Sequence, residues 1–231
     1  MSTNLIIAPA TAADAPELAQ VMISAYQDDK MYQAAFGRAV ERSSDDQEQE
    51  ERLFRQALFV DFTSSPNILL FKAVDPIPGR IIGYTDWIVP TNSALVRKPE
   101  DMNPDHCSTS IEWPAWIKRE LLESGDAVLK ESRDRLLGER HCEDVWKLRK
   151  VVVLPERRGE GVGRQLLEAS LEAIDGEGRD VFLHSTRVAR KLFESSRFEV
   201  LEEVEVMNGY CCITVSGRCY DSDAYLAVCR C

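Results

Sequence analysis

Residues 144–163 read DVWKLRKVVVLPERRGEGVG, and residues 164–176 continue RQLLEASLEAIDG. The valine-rich apolar run predicts a strand over 144–154. Residues 155–163 form a loop with glycine at 159, 161 and 163. After it, Val162, Leu166, Leu167, Leu171 and Ile174 recur at helical spacing and mark one face of a helix ending near Gly176. Glycine lets a backbone turn tightly and lets a ligand approach its amides. The first turn of a helix has unpaired N–H groups and a partial positive charge. Strand, glycine loop and helix start together predict a cradle for a phosphate or pyrophosphate. Arg157, Arg158 and Arg164 bring full positive charge to the same place.

What the loop lacks narrows the ligand. A Walker loop ends in GK[ST], whereas this one runs Gly163-Arg164-Gln165. A dinucleotide fingerprint would need a third glycine where Arg164 or Leu166 stands. Asp180 begins its strand, so no acid sits at a strand end to hold a ribose. NAD and ATP are therefore disfavoured.

Further strands are expected over 180–185, 198–206 and about 210–228, with a helix over 187–196. Upstream, residues 4–8 read as a first strand. Thr11-Ala-Ala-Asp14 reads as a capping box before a helix carrying Leu18, Met22, Ala25 and Tyr26. The acidic run 45–51 leads into a helix that buries Leu53, Ala57, Leu58 and Phe62. Residues 68–74 and 80–88 form a hairpin around Asp75-Pro-Ile-Pro-Gly79. The pattern loosens over about 91–143, read as an insertion, half loop and half helix. Alternating strands and helices indicate an α/β layer architecture. At 231 residues a single domain over 1–231 is expected.

Composition sets outer bounds. The chain is 44% hydrophobic and 29% charged, which excludes a mostly disordered chain, a collagen and a coiled coil. With 39 acidic against 28 basic residues the net charge is -11 and the pI about 4.9. Such a surface repels nucleic acid and anionic membranes, so neither is an expected partner. No apolar stretch approaches the ~20 residues of a membrane span, and Met1 to Ala10 lack a signal-peptide pattern. The seven cysteines form no CxxC pair and read as reduced intracellular thiols. A cytoplasmic location is expected, with a nuclear one the alternative. His106-Cys107 and His141-Cys142 have the residue types of a zinc site, but 33 residues separate the two pairs. No metal is expected.

The motif Val153-x-Pro155-x-x-Arg158-x-x-Gly161-x-Gly163 resembles the acyl-CoA-binding signature of the GNAT N-acetyltransferase superfamily. Ala189-Arg-Lys-Leu192-Phe193-Glu194-Ser-Ser-Arg197-Phe198 is similar to that family's A-x-x-L-Y-E-K-x-G-F segment. The opening strand and capped helix fit, as does the hairpin ending Ile82-Gly-Tyr-Thr-Asp-Trp87. The likeness covers about three quarters of the chain, strong over 144–198 and weak over 91–143. It looks like the fungal-type members with a long middle insertion.

The resemblance implies a mixed, mostly antiparallel twisted sheet of six or seven strands flanked by helices, with one strand pair splayed apart. It implies an enzyme that moves an acetyl group from acetyl-CoA to an amine, with a small molecule as the expected acceptor. The backbone of Val151 and Val153 would hold the pantetheine arm. Arg158, Gly159, Glu160, Gly161, Val162, Gly163 and Arg164 would surround the pyrophosphate. Thr186 and Phe193 would touch the cofactor. Two usual catalytic groups are replaced. Phe193 stands where relatives place a thiolate-protonating tyrosine, and Lys147 where some place a glutamate base. Arg197 also replaces a glycine. His184 and Asp86 are the substitute candidates for the base. The second reading is an acyl-CoA-binding protein of this fold with weak or no turnover.

Overall fold

The computed structural model describes residues 5–37, 43–98, 111–138, 144–207 and 209–218. Seven strands form one sheet: β1 (Ile6–Pro9), β2 (Ile68–Asp75), β3 (Arg80–Ile88), β4 (Trp146–Val153), β5 (Asp180–Thr186), β6 (Glu199–Met207) and β7 (Tyr210–Arg218). Their order is β1-β2-β3-β4-β5-β7-β6. Every neighbouring pair is antiparallel except β4 with β5. The helices are α1 (Ala15–Tyr26), α2 (Lys30–Phe36), α3 (Ser44–Ser64), α4 (Arg119–Leu137), α5 (Val162–Ile174) and α6 (Arg190–Ser195). This is the mixed, mostly antiparallel architecture expected.

Local chemistry fixes the starts of the elements. The Asp14 carboxylate accepts from the Thr11 N–H at 2.8 Å and the Thr11 hydroxyl at 3.0 Å. Lys72 Nζ on β2 reaches Asp14 at 2.7 Å, so the same carboxylate ties the helical start to the sheet. At α3, Ser43 and Asp46 cap each other through the Asp46 N–H and the Ser43 N–H. The acidic run therefore lies inside α3, not ahead of it. It favours a helix N-terminus, where negative charge meets the positive end of the backbone dipole. Helix α2 was not anticipated; Asp29 caps it by accepting from the Tyr32 N–H at 2.9 Å. The strand expected over about 210–228 is seen as 210–218, and its remainder lies outside the described residues.

Two cores cover the two faces. On one, Ile82 and Tyr84 of β3 and Val152 of β4 pack with Leu18 and Met22 of α1 and Leu58 of α3. On the other, Trp87, Trp146, Leu148, Leu183, Ile213 and Val215 meet Leu167, Leu171 and Ile174 of α5 and Phe193 of α6. Trp87 and Trp146 are fully buried, edge to face at 6.4 Å. Val162 and Leu166, at the start of α5, join the first cluster.

The stretch expected as an insertion holds α4, which packs on β6 and α2. Its first part is pinned by Arg97. That guanidinium donates to the carbonyls of Asp61, Phe62 and Ser65 and so caps the C-terminus of α3. No helix among the described residues is long and apolar enough to cross a membrane.

Candidate active site

The parallel pair β4–β5 is the sheet's irregular point. Only Trp146, Lys147 and Leu148 pair, with Val181, Phe182 and Leu183. Beyond them β4 runs on to Val153 along β3, and β5 runs on to Thr186 along β7. The two strands part, leaving a V-shaped gap. Peptide groups alternate sides along a strand. The Leu154 N–H bonds the Ile82 carbonyl on β3 at 2.9 Å. Val151 and Val153 therefore turn their N–H and C=O groups the other way, into the gap.

A bulge shapes β4 at the gap's apex. Trp87 pairs with Leu148 but Asp86 pairs with Lys150, so Arg149 is an extra residue. Bulges of this kind re-aim side chains. Here Arg149 Nε and Lys150 Nζ both reach the Asp86 carboxylate, at 2.8 and 3.1 Å. Arg149 Nη2 also reaches Asp61 of α3 at 2.6 Å. Asp86 is fully buried. Burial alone would raise its pKa, but the Lys150 and Arg149 cations outweigh it and hold the carboxyl below its usual range. A carboxylate held ionised by two cations takes up a proton poorly. In this position Asp86 fixes the bulge through Arg149 and Lys150. Tyr84, beside it, is also fully buried, and its hydroxyl has no hydrogen-bond partner among the described residues.

The glycine loop leads from the gap to α5. Pro155–Arg157 form one tight turn. Gly159 and Gly161 have φ of 81° and 84°, left-handed values that favour glycine. A Cβ on Gly159 would meet nothing within 4 Å, and one on Gly161 only Gln165 Nε2 at 4.0 Å. The space over the loop is therefore open. No side chain caps the N-terminus of α5, and its first turn has no acidic residue. The Gln165 N–H makes the first bond to Gly161 O, at 3.0 Å. The Arg158 N–H is taken by the Pro155 carbonyl at 3.2 Å, so the amides from Gly159 to Arg164 are the ones left for an anion.

The arginines supply less charge than their number suggests. Arg157 donates to Asp75 and to Glu160, the latter at 2.7 Å. Arg164 pairs with Glu168 at 3.1 Å. Arg158 reaches across to the Ala25 carbonyl at the end of α1, at 2.5 Å. The loop's attraction for anions thus rests on backbone amides and Arg158.

His184 lies on the face opposite α5, near α4. Its Nε2 is 3.5 Å from Ser132 Oγ, which donates to Glu202 at 2.5 Å and lies 3.1 Å from Thr214 Oγ1. Burial and the nearby Arg133 cation push His184 down to about 4, against a smaller opposing effect of Glu202. It is neutral at pH 7, and weakly basic.

Thr186 ends β5 opposite Cys212. Phe193 is 2% exposed and sits edge to face on Phe198 at 5.7 Å, so it belongs to the core wall and not to an open surface. The loop and Val151–Val153 therefore come together, while His184, Asp86 and Phe193 occupy three separate environments. His106, Cys107, His141 and Cys142 lie outside the described residues. Among the described residues, no group of three or more His, Cys, Asp or Glu side chains is placed to hold a metal ion.

Comparison with known proteins completes the picture. A family model described as "Acetyltransferase (GNAT) domain" matches residues 101–216. No curated protein matches in sequence. Solved structures do match. A "histone acetyltransferase HPA2 and related acetyltransferase" from Corynebacterium glutamicum is 18% identical, covering 94% of this chain and 96% of its own, with a TM-score of 0.57. A mosquito arylalkylamine N-acetyltransferase-like protein is 15% identical, covering 93% and 100%, with a TM-score of 0.56. The PaiA N-acetyltransferase of Thermoplasma acidophilum, solved with coenzyme A, is 13% identical, covering 93% and 99%, with a TM-score of 0.51. Identities this low speak for the fold.

Proposed function

Because the chain belongs to the GNAT acetyltransferase family, we propose that it transfers an acetyl group from acetyl-CoA to an amine of a small acceptor. One observation carries this reading: a parted β4–β5 pair that opens directly onto an uncapped helix start behind two left-handed glycines. An extended thioester with an anionic tail matches both ends of that path. The Val151 and Val153 peptide groups would bond the arm. The amides of Gly159 to Arg164 would take the pyrophosphate, with the Arg158 guanidinium beside them.

In the reaction the amine lone pair attacks the thioester carbon. The C–N bond forms and the C–S bond breaks, so the thiolate leaves and the amine loses one proton. Charge developing on the carbonyl oxygen needs a donor fixed in advance, and the Val153 N–H is our candidate. Phe193 has no proton for the thiolate, so water would supply it.

The same residue favours a second reading, an acyl-CoA binder with little turnover. Release of free thiol with a broad amine panel separates the two.

Binding is tested by thermal unfolding with acetyl-CoA, CoA, NAD and ATP in parallel. A ligand at ~100 times its Kd adds about 2.7 kcal/mol, or roughly 5–10 °C for a chain of this size. Gly161→Glu is the control, since its carboxylate would occupy the anion's place. We expect a shift with the two CoA species only, abolished in the variant relative to its own midpoint. A shift with NAD or ATP alone, or none at all, overturns the reading.

A further inference from the structure

Helices α5 and α6 pack on one face of the sheet, which leaves the other face of the gap to the remaining elements. On that face the connection from α1 to α2 meets the start of β7. Asp29 lies there, half-buried. Its Oδ1 accepts from the Tyr32 N–H at 2.9 Å, and its Oδ2 accepts from the Tyr210 hydroxyl at 2.8 Å. Cys212, two residues along β7 from Tyr210, is buried and pairs with Thr186 at the open end of β5. The Asp29 N–H bonds the Tyr26 carbonyl at the end of α1, at 2.9 Å. Asp29 thus joins the end of α1 to the start of β7, two residues from the Cys212 that faces the open end of β5.

The two carboxylates differ in their partners. Asp86 is saturated by Arg149 and Lys150. Asp29 has no ion-pair partner among the described residues, and its hydrogen bonds come from a phenol and from backbone. A half-buried carboxylate without a countercharge gains most from a cation.

Resting on the acetyltransferase reading, we propose that Asp29 is the anionic anchor for the ammonium of a cationic acceptor, with the Tyr210 hydroxyl as its displaceable partner. The Tyr210 bond would be exchanged for a charge-assisted one as the acceptor enters. The carboxylate would then hold the acceptor to the wall of the gap. Asp29 is a binding residue in this scheme.

The two partners give the test an asymmetric signature. Full-length protein saturated with CoA is titrated calorimetrically with phenethylamine and with spermidine, and with 2-phenylethanol as the uncharged control. Asp29→Asn keeps size and the α2 cap, since asparagine caps as well as aspartate. We expect at least one amine to bind, the alcohol not to, Asp29→Asn to weaken the amine at least tenfold, and Tyr210→Phe not to weaken it. CoA affinity should stay unchanged in both variants. The proposal fails if neither amine binds the CoA-loaded protein, if the alcohol binds as well, or if Asp29→Asn leaves affinity intact. It fails equally if both variants weaken binding alike, as a purely structural contact would. Failure of CoA to bind wild-type protein would instead overturn the acetyltransferase reading beneath it.

Discussion

Replacing Arg149 by methionine should be among the most damaging single changes in the sheet. Arg149 is the extra residue of the β4 bulge and joins two acids, Asp86 at 2.8 Å and Asp61 at 2.6 Å. Removing one member of a buried ion pair costs about 3–5 kcal/mol, because the remaining charge is left in a medium that solvates it poorly. Asp86 would keep Lys150, which puts its share near ~3 kcal/mol. The Asp61 side chain is 21% exposed and recovers water, adding under about 1 kcal/mol. The total of roughly 3–4 kcal/mol corresponds to a fall in Tm of about 6–16 °C. Urea unfolding followed by circular dichroism would read it as a lower midpoint at constant slope. Asp86→Leu combined with Arg149→Met should be less harmful than the two single losses added, with a coupling of about 1.5 kcal/mol or more. A cost below about 1 kcal/mol for Arg149→Met, or strict additivity, would refute the view that these charges hold the bulge.

Two further outcomes follow from named side chains. His184 is neutral in the fold, held down to about 4 against an ordinary 6.5. The unfolded chain therefore binds this proton first, and the His184 contribution to stability should fall as pH drops from about 6.5 towards 4, by up to ~3 kcal/mol, against an opposite contribution from Glu50, whose carboxyl burial pushes up to about 7. Asp86 and Asp14, both held below 3.8, stabilise above that value and should add a second loss only at lower pH. His184→Gln should flatten the first limb in pH-dependent urea titrations and leave the second; an unchanged first limb would remove His184 as its cause. At Gly83 a Cβ would lie 2.6 Å from the Val152 carbonyl oxygen and 3.1 Å from Leu166 Cδ1. Gly83→Ala should destabilise by about 1–3 kcal/mol and lower CoA affinity by moving β4. Unchanged urea midpoint and CoA binding would count against that packing.

The parts of the fold written in local pattern were readable from the chain alone. Strand β3 matched to the residue, because Gly79 turns at φ 69° just before a run that is buried without a break from Ile81 to Trp87. Helix α5 matched because its apolar spacing is regular and Gly161 fixes where it begins. The end of β6 differed by one residue and that of β1, where Pro9 can lie on a sheet edge, also by one. The expected helix over 187–196 resolves into a tight turn over Arg187–Ala189 followed by α6. The box of Ser43 and Asp46 is a signal in the sequence for the start of α3, and the charge run lies behind it, inside the helix.

The site was readable only in its loop. Asp61 and Arg149 are 88 positions apart, and Asp29 and Tyr210 are 181 apart. No periodicity encodes such pairs. The extra residue in β4 leaves only a faint mark: Trp146-Lys-Leu-Arg149 alternates, Lys150 breaks the phase, and the three valines after it hide the break. Asp86 stood out as an acid in a hairpin, but nothing nearby in sequence announced the two cations that occupy it.

The narrow β4–β5 junction has a consequence for how the molecule opens. Three residue pairs join a four-stranded half, whose strands follow one another through β1, β2, β3 and β4, to a three-stranded half of β5, β7 and β6. The second core runs beneath both halves, so it is at the open end of the gap that they can part. A molecule lying along the gap would act as a stitch between them. Amide hydrogen exchange would then slow together at the facing ends of β4 and β5 when such a molecule binds, while the core beneath stays protected with or without it.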